Sequence, residues 1–128
     1  MHDDISILMN MIDWNSSEEN QQKGIELAKK VKDLNIFLQP LFPSFNKNVW
    51  DNCAKILYEK SDNELEPYLI PLLEWLQDLT WPGALLIAKR LSLYGNQQLL
   101  TEAKNICLAR AEKEDEKIWA INLFQMLL

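Results

Sequence analysis

Apolar residues recur at helical spacing through most of the chain and are separated by short polar breaks. Trp50, Cys53, Ala54, Ile56 and Leu57 fall on one helical face, and Ser61-Asp62-Asn63 then interrupts the pattern. A second apolar run extends from Leu65 to Leu79. Projected at about 100° per residue, this run places Leu65, Leu69, Leu72, Leu76 and Leu79 on one side, with Glu66, Glu74, Gln77 and Asp78 largely opposite. Proline suits only an opening helical turn, so the helix either begins near Pro71 or is kinked there, and Pro40 poses the same question earlier. Thr80 is the expected N-cap of a helix running through Ala84, Ile87, Ala88 and Leu91 to a stop at Gly95. Ser16 with Glu19 predicts a capping box for a helix reaching about Lys32. Helices from Gln97 to about Arg110 and from Glu116 to Leu128 complete a set of seven or eight.

These helices repeat. Phe37-Leu38-Gln39-Pro40-Leu41-Phe42 lies over Tyr68-Leu69-Ile70-Pro71-Leu72-Leu73 at an offset of 31 residues, with aromatic, Leu, Pro and Leu in register. The same offset carries Leu34 to Leu65, Trp50 to Trp81, Cys53 to Ala84, and Ile25 to Ile56 to Ile87. Trp119 falls seven residues beyond the position expected from Trp81, which assigns an insertion to Ala111–Lys117. Helical hairpins of this period cannot bury their apolar faces alone and stack in register. The expectation is therefore an all-α superhelix of three hairpins and a C-terminal helix, one domain over residues 1–128. An irregular closed bundle is the alternative.

Composition narrows the function. Three glycines and five prolines among 128 residues are few chain breakers. No apolar run approaches the roughly 18–20 residues of a membrane span. The acidic N-terminus has no secretory character, so the chain reads as cytoplasmic. Thirteen Lys and Arg against nineteen Asp and Glu give a net charge of −6, which repels phosphate backbones. With Arg90 and Arg110 as the two arginines, nucleic-acid binding is not expected.

Residues 64–82, Glu-Leu-Glu-Pro-Tyr-Leu-Ile-Pro-Leu-Leu-Glu-Trp-Leu-Gln-Asp-Leu-Thr-Trp-Pro, resemble a small bacterial family of unknown function. Its signature is Pro-x-Leu-Leu-Glu-Trp-Leu-x-Asp-x-x-Trp-Pro. The resemblance is good over about residues 62–95 and weaker on both sides. Asp115-Glu116-Lys117-Ile118-Trp119 loosely matches the family's C-terminal aromatic stretch. The segment also looks like a HEAT-type repeat, which implies a HEAT-like superhelix acting as a protein-binding scaffold and supplies no catalytic residue. Small HEAT-like proteins occur among bacterial toxin-neutralising immunity proteins, an analogy at the level of fold.

Catalytic chemistry has few starting points. The one histidine is His2, and glycines at 24, 83 and 95 spell no phosphate-binding loop. Cys53 and Cys107 sit in apolar helical patterns and read as core residues, not as nucleophiles, a disulfide or metal ligands. Glu74 and Asp78, one turn apart, are the candidate metal or acid/base pair, against the plainer reading of a solvated face. HEAT-like alkylpurine DNA glycosylases need a basic groove, which this charge balance opposes. Neither a metal nor a cofactor is expected.

Binding signals are clearer. Trp50 and Trp81 share a repeat position and read as packing between repeats. Trp75 projects to the flank of its helix beside Glu74 and Asp78, a partly exposed interface candidate. Asp51, Asp62, Glu64, Glu66, Glu74 and Asp78 give the middle of the chain an acidic surface that could steer a basic partner at rates up to about 10–10³ above neutral encounter. The expected role is non-enzymatic binding of a basic protein, as a cytoplasmic inhibitor of a toxin or nuclease. The alternatives are a general adaptor and a metal-dependent or glycosylase-like enzyme, which would need a deep pocket lined by carboxylates. The apolar stretch Ile118–Leu128 is where a second copy would pair.

Overall fold

A computed structural model describes residues 2–41 and 44–126. The side chain of His2, Phe42 of the repeat alignment and the last residues of the apolar C-terminus lie outside what it describes. The protein is all-α. Among the described residues the α-helices are α1 (His2–Met11), α2 (Glu18–Ala28), α3 (Trp50–Tyr58), α4 (Asp62–Leu65), α5 (Leu69–Glu74), α6 (Ala84–Ser92), α7 (Gln97–Lys113) and α8 (Lys117–Met126). Four short 3-10 segments lie at Leu34–Phe37, Lys47–Val49, Glu66–Tyr68 and Trp75–Gln77. No helix is long and apolar enough to cross a membrane among the described residues.

The helices pack in two rows. In one, α1 lies on α2, α2 on α3 and α3 on α6. In the other, α5 lies on α7 and α7 on α8, with the Trp75–Gln77 segment bridging to both α6 and α8. The buried hydrophobic side chains form one cluster running from Leu8 through Phe37, Leu57, Leu73 and Leu91 to Leu123. The 31-residue spacing is physically present as hydrogen bonds between neighbouring layers: Asn52 Nδ2 donates to Gln21 Oε1, and Lys60 Nζ donates to the Lys29 carbonyl.

Carbonyls left over at helix ends need partners away from water. Buried polar side chains of neighbouring layers supply them. Asn52 donates to the Ile12 carbonyl at 2.7 Å. Arg90 donates through Nε to the Tyr58 carbonyl and through Nη2 to that of Lys60. Asn122 donates to the Leu76 carbonyl at 2.8 Å. No buried side-chain nitrogen or oxygen lacks a hydrogen bond among the described residues.

Several local expectations are corrected. The run Leu65–Leu79 is not one helix but α4, a 3-10 turn, α5 and a second 3-10 turn. Pro67 and Pro71 explain the breaks, since each removes an N–H donor and each sits in the opening turn of its segment. Ser17, not Ser16, caps α2, accepting from the Asn20 N–H, while Glu19 pairs with Lys23. The Ser16 N–H is held by the Asp13 carbonyl in the preceding turn, which leaves the extended capping position to Ser17. A capping box does occur at Ser61 and Glu64, where the sequence pattern shows only a break. The helix expected after Thr80 begins at Ala84, behind Gly83. In the assigned insertion, residues 111–113 lengthen α7 and Asp115 turns the chain at φ 57°.

Candidate partner-binding surface

The segment of residues 64–82 is a clasp between the two rows of helices. Leu72, Leu73 and Leu76 are fully buried. Trp75 is also fully buried, at 0 % exposure, and not at a half-open flank. The 3-10 turn at Trp75–Gln77 changes the residue-to-residue rotation, so the ring swings inward from where an α-helical projection puts it. Its indole N–H donates to the Pro82 carbonyl at 3.1 Å, and its ring meets the Trp50 ring edge-on at 6.1 Å. Trp81, half-buried, meets the other side of Trp50 edge-on at 5.5 Å, so the two tryptophans do pack against each other.

Gly83 makes this closure feasible. Its φ of +83° favours glycine, and a Cβ there would come within 2.7 Å of Ala54 Cβ and 2.9 Å of the Trp50 carbonyl oxygen. The chain therefore presses its backbone onto α3. Trp119 and Asn122 fasten α8 to the same segment, the indole N–H of Trp119 donating to the Leu73 carbonyl at 3.0 Å.

Several of the carboxylates singled out from the sequence are engaged within the chain. Asp62 is a tie between layers: Oδ1 accepts from Arg90 at 2.6 Å and Oδ2 from the Gly95 N–H at 2.8 Å. The Arg90 bond, then the Gly95 bond, hold its carboxyl below the usual carboxylate range. Glu74 pairs with Arg110 at 3.2 Å, and that guanidinium lies 5.2 Å from the centre of the Trp119 ring. Asp78 accepts from both the hydroxyl and the N–H of Thr80, which lowers its pKa. Glu74 and Asp78 thus share no helical face, because the helix ends between them and Asp78 is extended. The pair expected for metal or acid/base work is not assembled. No group of three or more His, Cys, Asp or Glu side chains is placed to hold a metal among the described residues.

Both cysteines are core residues. Burial pushes the Cys53 thiol up to about 12 and the Cys107 thiol up to about 11. Neither is a thiolate near neutral pH.

Asp51, Glu64, Glu66 and Asp78 enter no ion pair among the described residues, although Glu64 is held by Ser61 and Asp78 by Thr80. Asp51 stands half-buried in the first turn of α3. Glu66 is exposed and lines a shallow groove of about 230 Å³ between the segment Glu66–Ile70 and α7. Pro67, Leu69 and Ile70 form one wall, and Leu99, Ala103 and Ile106 the other. Exposed Glu102 stands on the α7 side of the same groove and is likewise in no ion pair among the described residues. The sequence reading missed Glu102 and Ile106. Their spacing, with Leu99 at i, Glu102 at i+3 and Ile106 at i+7, marks them as one stripe. Which segment that stripe would face is invisible in one dimension.

Apolar surfaces are also open on α1–α2 and on α8. A groove between α1 and α2 is lined by Met11 and Leu27 with Lys23, Glu26 and Lys30 around them. On α8, Ile118, Ile121 and Phe124 are each more than half exposed.

The profile of a family described as a domain of unknown function (DUF5071) matches residues 46–128, so the chain belongs to that family. The match takes in α3 to α8, including the whole clasp. No curated protein and no solved structure matches the chain.

Proposed function

We propose that this member of the DUF5071 family is a non-enzymatic protein-binding domain, built as a HEAT-like superhelix, that captures a basic protein. Its most specific form is a cytoplasmic inhibitor of a basic toxin or nuclease, an immunity protein. The observation that carries the reading is the groove beside α7, whose apolar lining runs from buried Leu69 and Ala103 to half-exposed Ile106 and which also holds two glutamates in no ion pair among the described residues. Apolar area supplies affinity, while free carboxylates on a chain of net charge −6 supply steering and choice of partner. The remaining polar groups support this division of labour: Arg90, Asn52, Asn122, Asp62 and Glu74 are engaged in holding helices together.

Nucleases present cationic surfaces to phosphate, so an acidic inhibitor is the complementary shape of charge. A general adaptor is the second reading. The extra apolar surfaces on α1–α2 and on α8 favour it, since they offer room for further partners or for a second copy of the chain.

The test is capture with the full chain as bait at low and high salt, followed by identification, stoichiometry and an activity assay of what is recovered. A single basic protein bound one-to-one, captured more slowly as salt rises and inactive when bound, is the expected result. Several salt-insensitive partners would establish the adaptor instead, and an uninhibited partner would remove the inhibitor role.

A further inference from the structure

We infer that the groove beside α7 receives a positively charged amphipathic helix of the partner, an inference that rests on the protein-binding reading above. The walls select the occupant's conformation. Both are helical or 3-10 segments whose backbone groups are engaged internally, so there is no open strand edge on which an extended peptide could add. The lining holds no aromatic ring, which removes the usual platform for a polyproline segment. An apolar trough running along α7, with Leu99, Ala103 and Ile106 at i, i+4 and i+7, fits a second helix laid against it.

Charge selects the occupant's composition. Glu66 stands on one wall and Glu102 on the other, and neither Lys nor Arg lines the groove. A helix that buries an apolar stripe there brings the residues flanking the stripe against these carboxylates. Lysine or arginine at those flanks is attracted, and acidic residues are repelled. The other two open surfaces lack this direction. The α1–α2 groove mixes Lys23 and Lys30 with Glu26, and the α8 face carries no charged lining residue.

The test uses the isotope-labelled full chain and two synthetic helical probes. One has Leu at i, i+3, i+4 and i+7 with Lys at the flanking positions. The other has Glu in place of every Lys. With the Lys peptide, amide shifts should concentrate at residues 66–70 and 99–106, and binding should weaken as salt is raised. The Glu peptide should bind at least about tenfold more weakly, and Glu66→Lys with Glu102→Lys should cost the Lys peptide about tenfold in affinity. Both side chains are exposed, so the variant should fold, which circular dichroism verifies. An Ile106→Ser variant should weaken the Lys peptide by about threefold or more while leaving the charge preference intact.

Equal binding of the two peptides overturns the inference. So do shifts centred on Leu27 or Phe124, and so does the absence of binding by either peptide. None of these results touches the protein-binding reading, which stands or falls on capture of a basic partner by the unaltered chain.

Discussion

Replacing Asp62 by Asn separates a structural role from a binding role, because the two roles predict different observables. The carboxylate accepts from Arg90 with one oxygen and from the Gly95 N–H with the other. Asparagine has one acceptor oxygen and an amide nitrogen that cannot accept, so one of those two donors must lose its partner. Hydrogen bonds to charged groups contribute about 1.5–3 kcal/mol, and Arg90 is nearly buried. The Asp62 side chain is 40 % exposed, so water recovers part of the loss. The expected destabilisation is about 1–2 kcal/mol, or a fall of roughly 1 M in the urea midpoint.

Its pH dependence has a fixed sign. The folded-state pKa of Asp62 lies below the unfolded value, so the stabilisation is complete above the unfolded pKa and is lost as pH falls through the folded one. The gap between the wild-type protein and Asp62→Asn should be constant above about pH 5 and shrink below about pH 4. Urea titrations at several pH values measure it. A gap under about 0.3 kcal/mol at neutral pH, or one that persists undiminished in acid, would refute the assignment of Asp62 to holding the layers together.

Three further outcomes are expected. Gly83→Ala should destabilise by about 2–4 kcal/mol from the positive φ and the contact with Ala54, whereas Gly95→Ala, whose Cβ meets just the Asp62 carboxylate at 3.1 Å, should cost under about 1 kcal/mol, both read from denaturant midpoints. Trp75→Phe should cost about 1–3 kcal/mol by leaving the Pro82 carbonyl unpaired and a gap beside Trp50; a stability change near zero would return Trp75 to the surface. Cys53 and Cys107 should resist iodoacetamide at pH 8 in the folded protein and react promptly in urea, and rapid labelling of the native chain would contradict their burial and raised pKa values.

The helices around Trp50–Leu57, Ala84–Leu91 and Gln97–Arg110 were legible because each keeps a helical period with recognisable breaks at its ends. The 31-residue offset was legible for the same reason, since layers that bury equivalent faces carry equivalent residues. Legibility stopped at Trp75. Its neighbours follow a helical projection, yet a 3-10 turn after α5 rotates it into the core. Trp75 therefore looked partly exposed, while it is enclosed in the clasp. The acidic set shows the same limit: carboxylates can be counted in one dimension, but pairing depends on what stands opposite. Arg90 and Arg110 reach Asp62 and Glu74 from 28 and 36 residues away, and Glu66 is left without such a partner among the described residues.

The sequence by itself determined the all-α class, the spacing of the layers, the burial of both cysteines and the negative charge of the chain. Each follows from composition or from a period of a few residues, which is local information. The tertiary structure alone decided which carboxylates are consumed in ties, which tryptophan is enclosed, and that Glu66 and Glu102 line one apolar groove. Those outcomes depend on contacts between residues tens of positions apart, and no periodicity along the chain encodes them.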